Sequence, residues 1–560
     1  MPEMSGAQAL VGSLARNGVE VVFALPGVQI MDAFDAFYHE PSIRLVLARH
    51  EQGVAYMADG YARTTGKPGV GLVVPGPGAL NTTAALGTAY ATSSPVLLVS
   101  GQIESYNLGQ NRGALHEISE SLDVFQHLTK WCARAGRVED IPGMVQTAME
   151  HLSTGRPRPV EIEIPWDMLP GKGDTELPEP EIFAKTSPDP GLIKEAAALL
   201  SQARRPVIWA GGGAREADLS AELLELARSL NAPVITTAEG KGAIPEDDPH
   251  SLGCFAYAHG PGYLALPQAD VILVIGSRLH LAPKVPWAIQ PHQKLIQIDA
   301  DPEEMGRNYP TTVGINSDGK LGLTALLAEL GGNTRTSQWS EGEMASIRQE
   351  SSQRIREMAP MQTEIIETMR RELDDDAIMV AGTTDIGYWS HLAFPVLKPR
   401  SYLTSSYFAT LGYAFPTALG AKVGNPHRQV VATIGDGGFG YASSELATAV
   451  QEGINLVTLV FNNEMLGASH IEQQNRLKGR VIGTRLHNPD FAQLAEVYGA
   501  MGIKLGSHQE LGDALRTALK AERPVVIEVP IPNLTPPFQI PPPTGTRRSR
   551  LPWTTWFSKR

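Results

Sequence analysis

Cysteine and long apolar runs are scarce in this 560-residue chain. The two cysteines, Cys132 and Cys254, lie far apart and lack the spacing of metal ligands, which argues against a disulfide scaffold or a zinc site. No apolar run reaches membrane-spanning length. The N-terminal stretch MPEMSGAQALVGSLARNG starts an amphipathic helix without a cleavable signal pattern. We therefore expect a cytoplasmic protein.

Positive charge is also in deficit, with 47 Lys and Arg against 60 Asp and Glu and a net charge of −13. This excess of negative charge argues against nucleic acid as a partner. Hydrophobic residues make up 42% of the chain and charged residues 19%, which is typical of a globular protein with an ample core. A chain of this length is expected to form several domains.

Strand and helix patterns alternate along most of the chain. Short apolar runs such as Val19–Phe23 and Gly69–Val74 are followed by helical periodicity, the pattern of a parallel sheet covered on both faces. A Pro- and Glu-rich stretch at 177–190 and a polar stretch at 333–360 are typical of linkers. We predict an α/β fold of three doubly wound domains with mainly parallel sheets, at 1–180, 191–340 and 361–535, followed by a tail at 536–560.

The most informative stretch lies in the third predicted domain. The run Val430–Ile434 ends in Gly435-Asp436-Gly437-Gly438, and the run Asn455–Phe461 ends in Asn462-Asn463. Open α/β sheets bind ligands at the carboxyl ends of neighbouring parallel strands. The glycines let backbone N–H groups approach phosphate oxygens, while Asp436 and Asn463 offer the hard oxygen ligands that suit Mg²⁺. The pair of motifs predicts a metal and diphosphate site.

A triple glycine in the central predicted domain has a plainer interpretation. Gly211-Gly212-Gly213 follows the candidate strand Val207–Ala210. Glu216 stands where a dinucleotide-binding fingerprint would need its third glycine. We interpret this stretch as an ordinary strand-to-helix turn.

Gly-Asp-Gly followed by Asn-Asn at this spacing resembles the signature of thiamine diphosphate (ThDP) enzymes. The surrounding stretch, GDGGFGYASSELATAVQEGINLVTLVFNNEMLG, is similar to the group of acetolactate synthase, pyruvate oxidase and benzoylformate decarboxylase. Near the N-terminus, RHEQGVAYMADGYARTTGKPGVGLVVPGPGALN resembles the pyrimidine-binding domain of that group. The resemblance implies ThDP and Mg²⁺ as cofactors. The implied protein ligands of Mg²⁺ are Asp436, Asn463 and the backbone carbonyl of Met465.

The resemblance also implies roles for individual residues. Glu51 matches the glutamate that hydrogen-bonds N1′ of the cofactor, and Leu411 matches a bulky apolar residue that bends it. His116 and Gln29 fall near positions that face the substrate, although an exposed helix-start histidine is an equally good interpretation of His116. We name Glu51, His116 and Gln29 as candidate catalytic residues. The implied cofactor-binding set further contains Pro26, Gly27, Gly76, Asn81, Thr384, Asp385, Gly435, Gly437 and Gly438.

The implied activity is that of an acetolactate synthase-like 2-oxo acid decarboxylase/carboligase, which forms an enamine and adds it to a second carbonyl. Val73-Val74-Pro75 stands where benzoylformate decarboxylases carry a catalytic histidine. Glu472 and Ala282 replace the Trp and Arg with which biosynthetic acetolactate synthases contact the second oxo acid. A simple decarboxylase and a flavin-linked oxidoreductase of the pyruvate oxidase kind stay open as alternatives. FAD is left open by the family but has no specific motif here.

In this family the pyrimidine domain of one subunit meets the diphosphate domain of another. We therefore expect a homodimer or homotetramer with shared active sites, acting on a small 2-oxo acid and a carbonyl acceptor. The chain ends in TRRSRLPWTTWFSKR, which is basic and aromatic. Packing on a neighbouring subunit or partial disorder is favoured over membrane contact, because this tail is short and lacks a clear amphipathic period.

Overall fold

The computed structural model describes residues 3–257, 259–280, 289–290, 292–331 and 337–541. These residues contain three six-stranded parallel sheets with their helices, which confirms the predicted α/β, doubly wound fold class. One compact unit holds the first and third sheets and comprises the chain up to Thr186, Glu364–Ser390 and Val396–Leu534. A second unit holds the central sheet and comprises the described residues of Ser187–Thr363, His391–Pro395 and 535–541.

The first domain has the strand order β3-β2-β4-β5-β7-β6, and β1 pairs with β8 apart from this sheet. Its strands are β1 (Glu3–Ser5), β2 (Val21–Ala24), β3 (Arg44–Leu47), β4 (Gly69–Val73), β5 (Val96–Gln102), β6 (Trp131–Arg134), β7 (Val160–Pro165) and β8 (Lys172–Asp174). Its helices are α1 (Gly6–Arg16), α2 (Met31–Tyr38), α3 (Glu51–Thr65), α4 (Pro77–Asn81), α5 (Thr83–Thr92), α6 (Ser121–Phe125) and α7 (Ile141–Ser153). The inner strands β4 and β5 are buried along their whole length, as expected for a sheet covered on both faces.

The central domain has a different strand order, β11-β10-β9-β12-β13-β14. Its strands are β9 (Pro206–Ala210), β10 (Val234–Thr236), β11 (Ser251–Cys254), β12 (Val271–Ile275), β13 (Lys294–Asp299) and β14 (Val313–Asn316). Its helices are α8 (Pro190–Gln202), α9 (Gly212–Glu216), α10 (Ser220–Leu230), α11 (Gly262–Ala265), α12 (Gly319–Leu330) and α13 (Glu341–Met358). Because α9 follows directly on β9, the interpretation of the triple glycine as a strand-to-helix turn is confirmed.

The third domain has the strand order β16-β15-β17-β18-β20-β19, which is the order of the first domain. Its strands are β15 (Ile378–Ala381), β16 (Tyr402–Thr404), β17 (Val430–Gly435), β18 (Val457–Asn462), β19 (Met501–Lys504) and β20 (Val525–Pro530). Its helices are α14 (Pro360–Glu372), α15 (Asp385–Ala393), α16 (Ala414–Gly424), α17 (Asp436–Ala442), α18 (Leu446–Gln451), α19 (Gly467–Arg476), α20 (Phe491–Tyr498) and α21 (Leu511–Ala518). The first and third domains therefore share one topology.

Helices α3 and α16 occupy equivalent places, after the edge strands β3 and β16, and they pack on each other through reciprocal glycines. A Cβ at Gly60 of α3 would lie 1.9 Å from the carbonyl oxygen of Thr417. A Cβ at Gly420 of α16 would lie 1.9 Å from the carbonyl oxygen of Met57. Only glycine permits this backbone approach. The close contact between the first and third domains therefore depends on one glycine in each of them.

Three local features of these domains bear on the site. Thr82 separates α4 from α5. The polar stretch after Gln102 contains the short helix α6. The sequence Gly435-Asp436-Gly437 starts a helix, because Gly435 is an extended N-cap and Asp436 is the first residue of α17. A carboxylate in the first turn is favoured by the helix dipole.

Candidate functional site

Asp436 and the Asn462-Asn463 pair lie side by side at the carboxyl edge of the third sheet. Strands β17 and β18 are parallel neighbours, and Gly435 pairs with Phe461 at their ends. Asp436 is buried, and its Oδ1 accepts a hydrogen bond from the Gly437 N–H at 2.9 Å. Burial raises the pKa of Asp436, while hydrogen bonds from Gly437 and then Asn488 act in the opposite direction.

A chain of hydrogen bonds connects Asp436 to the sheet interior. The Asn488 amide nitrogen donates to Asp436 Oδ2 at 2.7 Å and to Asn462 Oδ1 at 3.0 Å. Asn462 in turn donates to Glu528 Oε1 at 2.9 Å, and the backbone N–H of Phe491 donates to Glu528 Oε2 at 2.9 Å. Glu528 is buried in β20. The network orients the carboxylate of Asp436 before any ligand is present.

Asn463 sits in an equally constrained setting. Its amide nitrogen donates to Asn533 Oδ1 at 3.4 Å, and its Oδ1 accepts from the Met465 N–H at 3.2 Å. A Cβ at Gly467 would lie 2.5 Å from Asn533 Oδ1 and 2.9 Å from Asn463 Nδ2, so this cradle requires glycine. Since an amide or carboxylate oxygen has two lone pairs, Asp436 and Asn463 each keep acceptor capacity. Oxygen ligands of this kind fit a hard divalent cation such as Mg²⁺.

The other third-domain candidates surround the same edge. Thr384 is buried, and a Cβ at Gly435 would lie 3.3 Å from its Oγ1, whereas Asp385 is the first residue of α15. Half-buried Leu411 lies in a turn before α16 rather than within the helix. The following residue, Gly412, has a φ of +79°, and a Cβ added there would lie 2.8 Å from the Cβ of Tyr441 in α17. The turn that carries Leu411 is therefore packed on the helix that begins at Asp436.

Gly438, the last glycine of that motif, is packed on its own strand. A Cβ at Gly438 would lie 3.2 Å from Ile434 Cγ1, and one at Gly437 would lie 2.9 Å from Leu466 Cδ2. The segment therefore keeps its backbone free of side chains where it turns from β17 into α17. Such bare backbone is what phosphate oxygens need for close approach.

Glu51 occupies the matching edge of the first sheet. Strand β3 ends at Leu47, and Glu51 is the first residue of α3, with His50 as N-cap. The Asn81 amide nitrogen donates to Glu51 Oε2 at 3.0 Å, which brings two of the predicted site residues together. The cap and the hydrogen bond hold the carboxylate at a helix N-terminus.

Val74 links further predicted residues to this edge. A Cβ at Gly27 would lie 2.3 Å from Val74 Cγ1, and one at Gly78 would lie 2.6 Å from Val74 Cγ2 and 3.4 Å from Glu51 Oε1. Pro26, just before Gly27, is exposed. The segment Val73-Val74-Pro75 thus places a buried valine between two glycines at this edge.

Gln29 and His116 are brought together by one loop. The Gln29 amide nitrogen donates to the carbonyl oxygen of Leu115 at 2.8 Å. His116 has the unusual φ of +68, and a Cβ at Gly76 would lie 2.4 Å from its carbonyl oxygen. Within the described residues, Gln29 Oε1 and His116 Nδ1 are buried and have no hydrogen-bond partner. These two atoms, one in the 3-10 turn Val28–Ile30 and one in the loop before α6, are polar groups available to a ligand.

The first-domain and third-domain sets remain separate in this chain. Among the described residues, no hydrogen bond or ion pair joins Glu51 to Asp436 or Asn463. Ala282 and the tail beyond residue 541 lie outside the described residues. No helix in the described part of the chain is long and apolar enough to cross a membrane.

Sequence reasoning missed three residues of the third-domain edge: Asn488, Glu528 and Asn533. Glu528 left a signal, because it is the single charge inside the apolar run VVIEVP. Asn488 precedes Pro489 and Asp490, a pattern typical of a helix start, and Asp490 does cap α20. Nothing in the pattern indicates that Asn488 reaches Asp436.

Comparison with known proteins agrees with this geometry. Three family models match: the N-terminal TPP binding domain at residues 4–125, the central domain at 193–326 and the C-terminal TPP binding domain at 382–529, each of the thiamine pyrophosphate enzymes. The chain is 35% identical to a probable 2-ketoarginine decarboxylase of Pseudomonas aeruginosa, over 94% of each chain. It is 35% identical to a probable acetolactate synthase large subunit of Methanocaldococcus jannaschii, over 94% of this chain and 92% of the relative. It is 34% identical to the acetolactate synthase large subunit of Haemophilus influenzae, over 94% of each. The chain therefore belongs to the family of thiamine pyrophosphate (ThDP) enzymes.

Proposed function

We propose that the protein is a ThDP- and Mg²⁺-dependent 2-oxo acid decarboxylase/carboligase of the acetolactate synthase-like kind. The observation that carries the proposal is the preorganised third-domain edge, where Asn488 holds Asp436 beside Asn462. Full-length similarity to a named decarboxylase and to named acetolactate synthases supports the same reaction class. A flavin-linked oxidoreductase stays an alternative, and a colourless purified protein that gains no activity with FAD and an electron acceptor would remove it.

The proposed anchor for the cofactor lies in the third domain. Asp436, Asn463 and the Met465 carbonyl would hold Mg²⁺, and Thr384, Asp385 and the glycines from Gly435 to Gly438 would line the diphosphate. ThDP, when bound, supplies the carbon nucleophile that adds to a 2-oxo acid and accepts the electrons released with CO₂. Leu411, on its turn against α17, would support the bent shape of the cofactor.

Glu51 is the proposed catalytic carboxylate. Its Oε2 is held by Asn81 at 3.0 Å, which fixes the side chain at the start of α3. There it would accept a hydrogen bond from N1′ of the pyrimidine and hold a proton at that atom. Correct placement of such a group can supply about 7–11 kcal/mol of the barrier reduction in intramolecular catalysis. Asn81 is a positioning residue in this scheme.

The substrate side is proposed to lie at Gln29 and His116, whose buried Oε1 and Nδ1 have no partner among the described residues. Glu472, in α19, pairs with Arg476 at 2.7 Å and is partly exposed. An acidic side chain here is chemically unlike the tryptophan of biosynthetic acetolactate synthases. The acceptor is therefore expected to differ from the second oxo acid of branched-chain biosynthesis.

We further propose a homodimer or homotetramer in which Glu51 and Asp436 of one site come from different chains. Apolar side chains are exposed around both edges, including Val28 at 61%, Leu115 at 60% and Tyr441 at 65%. Exposed apolar surface near a site is typical of an interface. Gel filtration should give at least a dimer mass, and mixing Glu51→Gln with Asp436→Ala subunits should restore activity at hybrid sites.

The decisive experiment is reconstitution with ThDP and Mg²⁺ and a panel of 2-oxo acids. The panel should include pyruvate, 2-oxobutyrate, benzoylformate and 2-ketoarginine, each with and without an aldehyde or oxo acid acceptor. CO₂ release reports decarboxylation, and the product separates an aldehyde from a carboligation product. Failure to release CO₂ from any donor, with cofactor bound, would remove the proposed function.

A further inference from the structure

The segment that precedes Glu51 is held by a carboxylate from the other ThDP domain. Glu445 is 1% exposed and lies at the end of the 3-10 turn Ser443–Glu445. The backbone N–H of Arg49 donates to both Glu445 oxygens at 3.1 Å, and that of His50 donates to Oε1 at 3.0 Å. The Thr448 hydroxyl donates to Oε2 at 2.6 Å. Both oxygens therefore act only as acceptors.

The approach is close enough to require glycine in α3. A Cβ at Gly53 would lie 2.4 Å from Glu445 Oε1. A second link lies beside the first, because the Arg49 guanidinium donates to Gln451 Oε1 at 2.5 Å. The first turn of α3 is thus seated on the third domain, next to the reciprocal packing of α3 and α16.

The hydrogen bonds around Glu445 require an ionised carboxylate. Burial raises the pKa of Glu445, and hydrogen bonds from Thr448, Arg49 and His50 act in the opposite direction. Replacing one oxygen by an amide nitrogen would aim a donor at groups that also donate. An isosteric glutamine would therefore break these hydrogen bonds without removing side-chain volume.

We propose that Glu445 is a positioning residue for Glu51, so that the third domain sets the place of the catalytic carboxylate of the same chain. The inference rests on the proposed function of Glu51. Helix α17 and the following 3-10 turn run without interruption from Asp436 to Glu445. This short segment therefore begins at Asp436, the proposed metal ligand, and ends at Glu445, which contacts the residues just before Glu51.

The first test compares Glu445→Gln and Gly53→Ala with Glu161→Gln as a matched control. Glu161 is also a buried carboxylate of this unit, but it accepts from Ser100 within the first sheet. Both test variants should lower turnover by about tenfold to a hundredfold. The exchange rate of the thiazolium C2 proton of bound ThDP, measured by NMR, should fall by about the same factor. ThDP affinity should stay within about threefold, because the diphosphate anchor is untouched. The control should retain both rates.

Gly53→Ala separates positioning from helix stability. Alanine favours a helix interior over glycine by roughly 1 kcal/mol, so a loss of turnover in Gly53→Ala would come from the contact with Glu445 and not from a weakened helix. Equal rates of C2 exchange in Glu445→Gln and wild type would overturn the proposal, as would a loss of cofactor affinity as large as the loss of turnover. Glu51→Gln, measured alongside, tests the proposed function itself. If Glu51→Gln keeps full exchange, that function fails instead.

Subunit mixing gives a second and sharper test. Glu445 lies in the domain of Asp436, yet it should behave in mixing experiments like Glu51. Glu445→Gln mixed with Asp436→Ala should regain activity, because one chain supplies a well-placed Glu51 and the other an intact Asp436. Glu445→Gln mixed with Glu51→Gln should gain nothing. The reverse pattern would contradict the proposal, and if Glu51→Gln and Asp436→Ala do not complement, the exchange measurement decides.

Discussion

The first and third domains share one strand order but carry different side chains at the carboxyl ends of their strands. The third edge carries a connected polar network through Asp436, Asn488, Asn462 and Glu528. The first edge carries small residues and a single carboxylate, Glu51, held by one amide. Under the proposed function, the same topology thus gives an anchor for the cofactor in one domain and a catalytic carboxylate in the other. Function lies in the side chains placed at the edge, and topology alone does not assign it.

The central domain extends the comparison, because its edge is filled by backbone. The Gly211 N–H donates to the Ile275 carbonyl at 2.9 Å, and the Gly213 N–H donates to the Gly276 carbonyl at 3.0 Å. A Cβ at Gly211 would lie 2.2 Å from the Gly276 oxygen. At the ends of β9 and β12, where the strand order reverses, these N–H groups are therefore already satisfied within the protein.

The largest effect should come from the first edge. Glu51→Gln removes the proposed proton-holding carboxylate and keeps its shape. We expect turnover to fall by about 10²–10⁴-fold, the usual contribution of an acid–base group. Steady-state CO₂ release with saturating ThDP checks this, with Glu161→Gln as the control. Full activity of Glu51→Gln would show that the two edges do not divide their roles as proposed.

Next in size is the contact between the two domains, where the shared topology predicts matched effects. Gly60→Ala and Gly420→Ala each place a Cβ 1.9 Å from a carbonyl oxygen. We expect each to destabilise the protein by about 1–3 kcal/mol through overpacking, seen as similar losses in thermal midpoint. Gly143→Ala, where a Cβ meets nothing within 4 Å, is the control. Strongly unequal losses would contradict a reciprocal contact.

A smaller effect is expected from the network of the third edge. Asn488→Ala removes both hydrogen bonds that orient Asp436 toward Asn462. Loss of such supporting bonds typically lowers metal affinity about 10–100-fold. Electron paramagnetic resonance with Mn²⁺ as probe, in the presence of ThDP, measures it. Asn425→Ala, which loses side-chain hydrogen bonds with the Ala421 carbonyl at 3.0 Å and with Arg428 at 3.3 Å, should bind Mn²⁺ like the wild type.

The smallest effect lies in the second compact unit and depends on pH. Burial lowers the pKa of His391 to about 3, and the charge of Lys241 acts in the same direction. Since an unfolded histidine titrates near 6.5, the unfolded state binds the proton first, and stability is lost as pH falls from about 6.5 toward 3. His391→Asn should reduce the loss of stability between pH 7.5 and 5 by about 1–2 kcal/mol. Thermal midpoints at both pH values measure it, and an unchanged pH dependence would contradict the assignment.

Much of this architecture was predictable because its signals are local. Alternating patterns predict the three sheets, and the two glycine- and asparagine-rich strand ends predict the third edge. Asn488 and Glu528 escaped prediction because their partners, Asp436 and Asn462, lie far away in the sequence. Glu445 escaped because its partners are backbone N–H groups of another domain, which leave no residue-type signal. Long-range hydrogen bonds of this kind depend on tertiary packing rather than on spacing.

The central claim is that the third edge holds the cofactor and the first edge activates it. Calorimetric titration of ThDP in the presence of Mg²⁺ into wild type, Glu51→Gln and Asp436→Ala tests it most directly. We predict that Glu51→Gln binds within about threefold of wild type, whereas Asp436→Ala loses at least about a hundredfold in affinity. Normal binding by Asp436→Ala, or abolished binding by Glu51→Gln, would contradict this division.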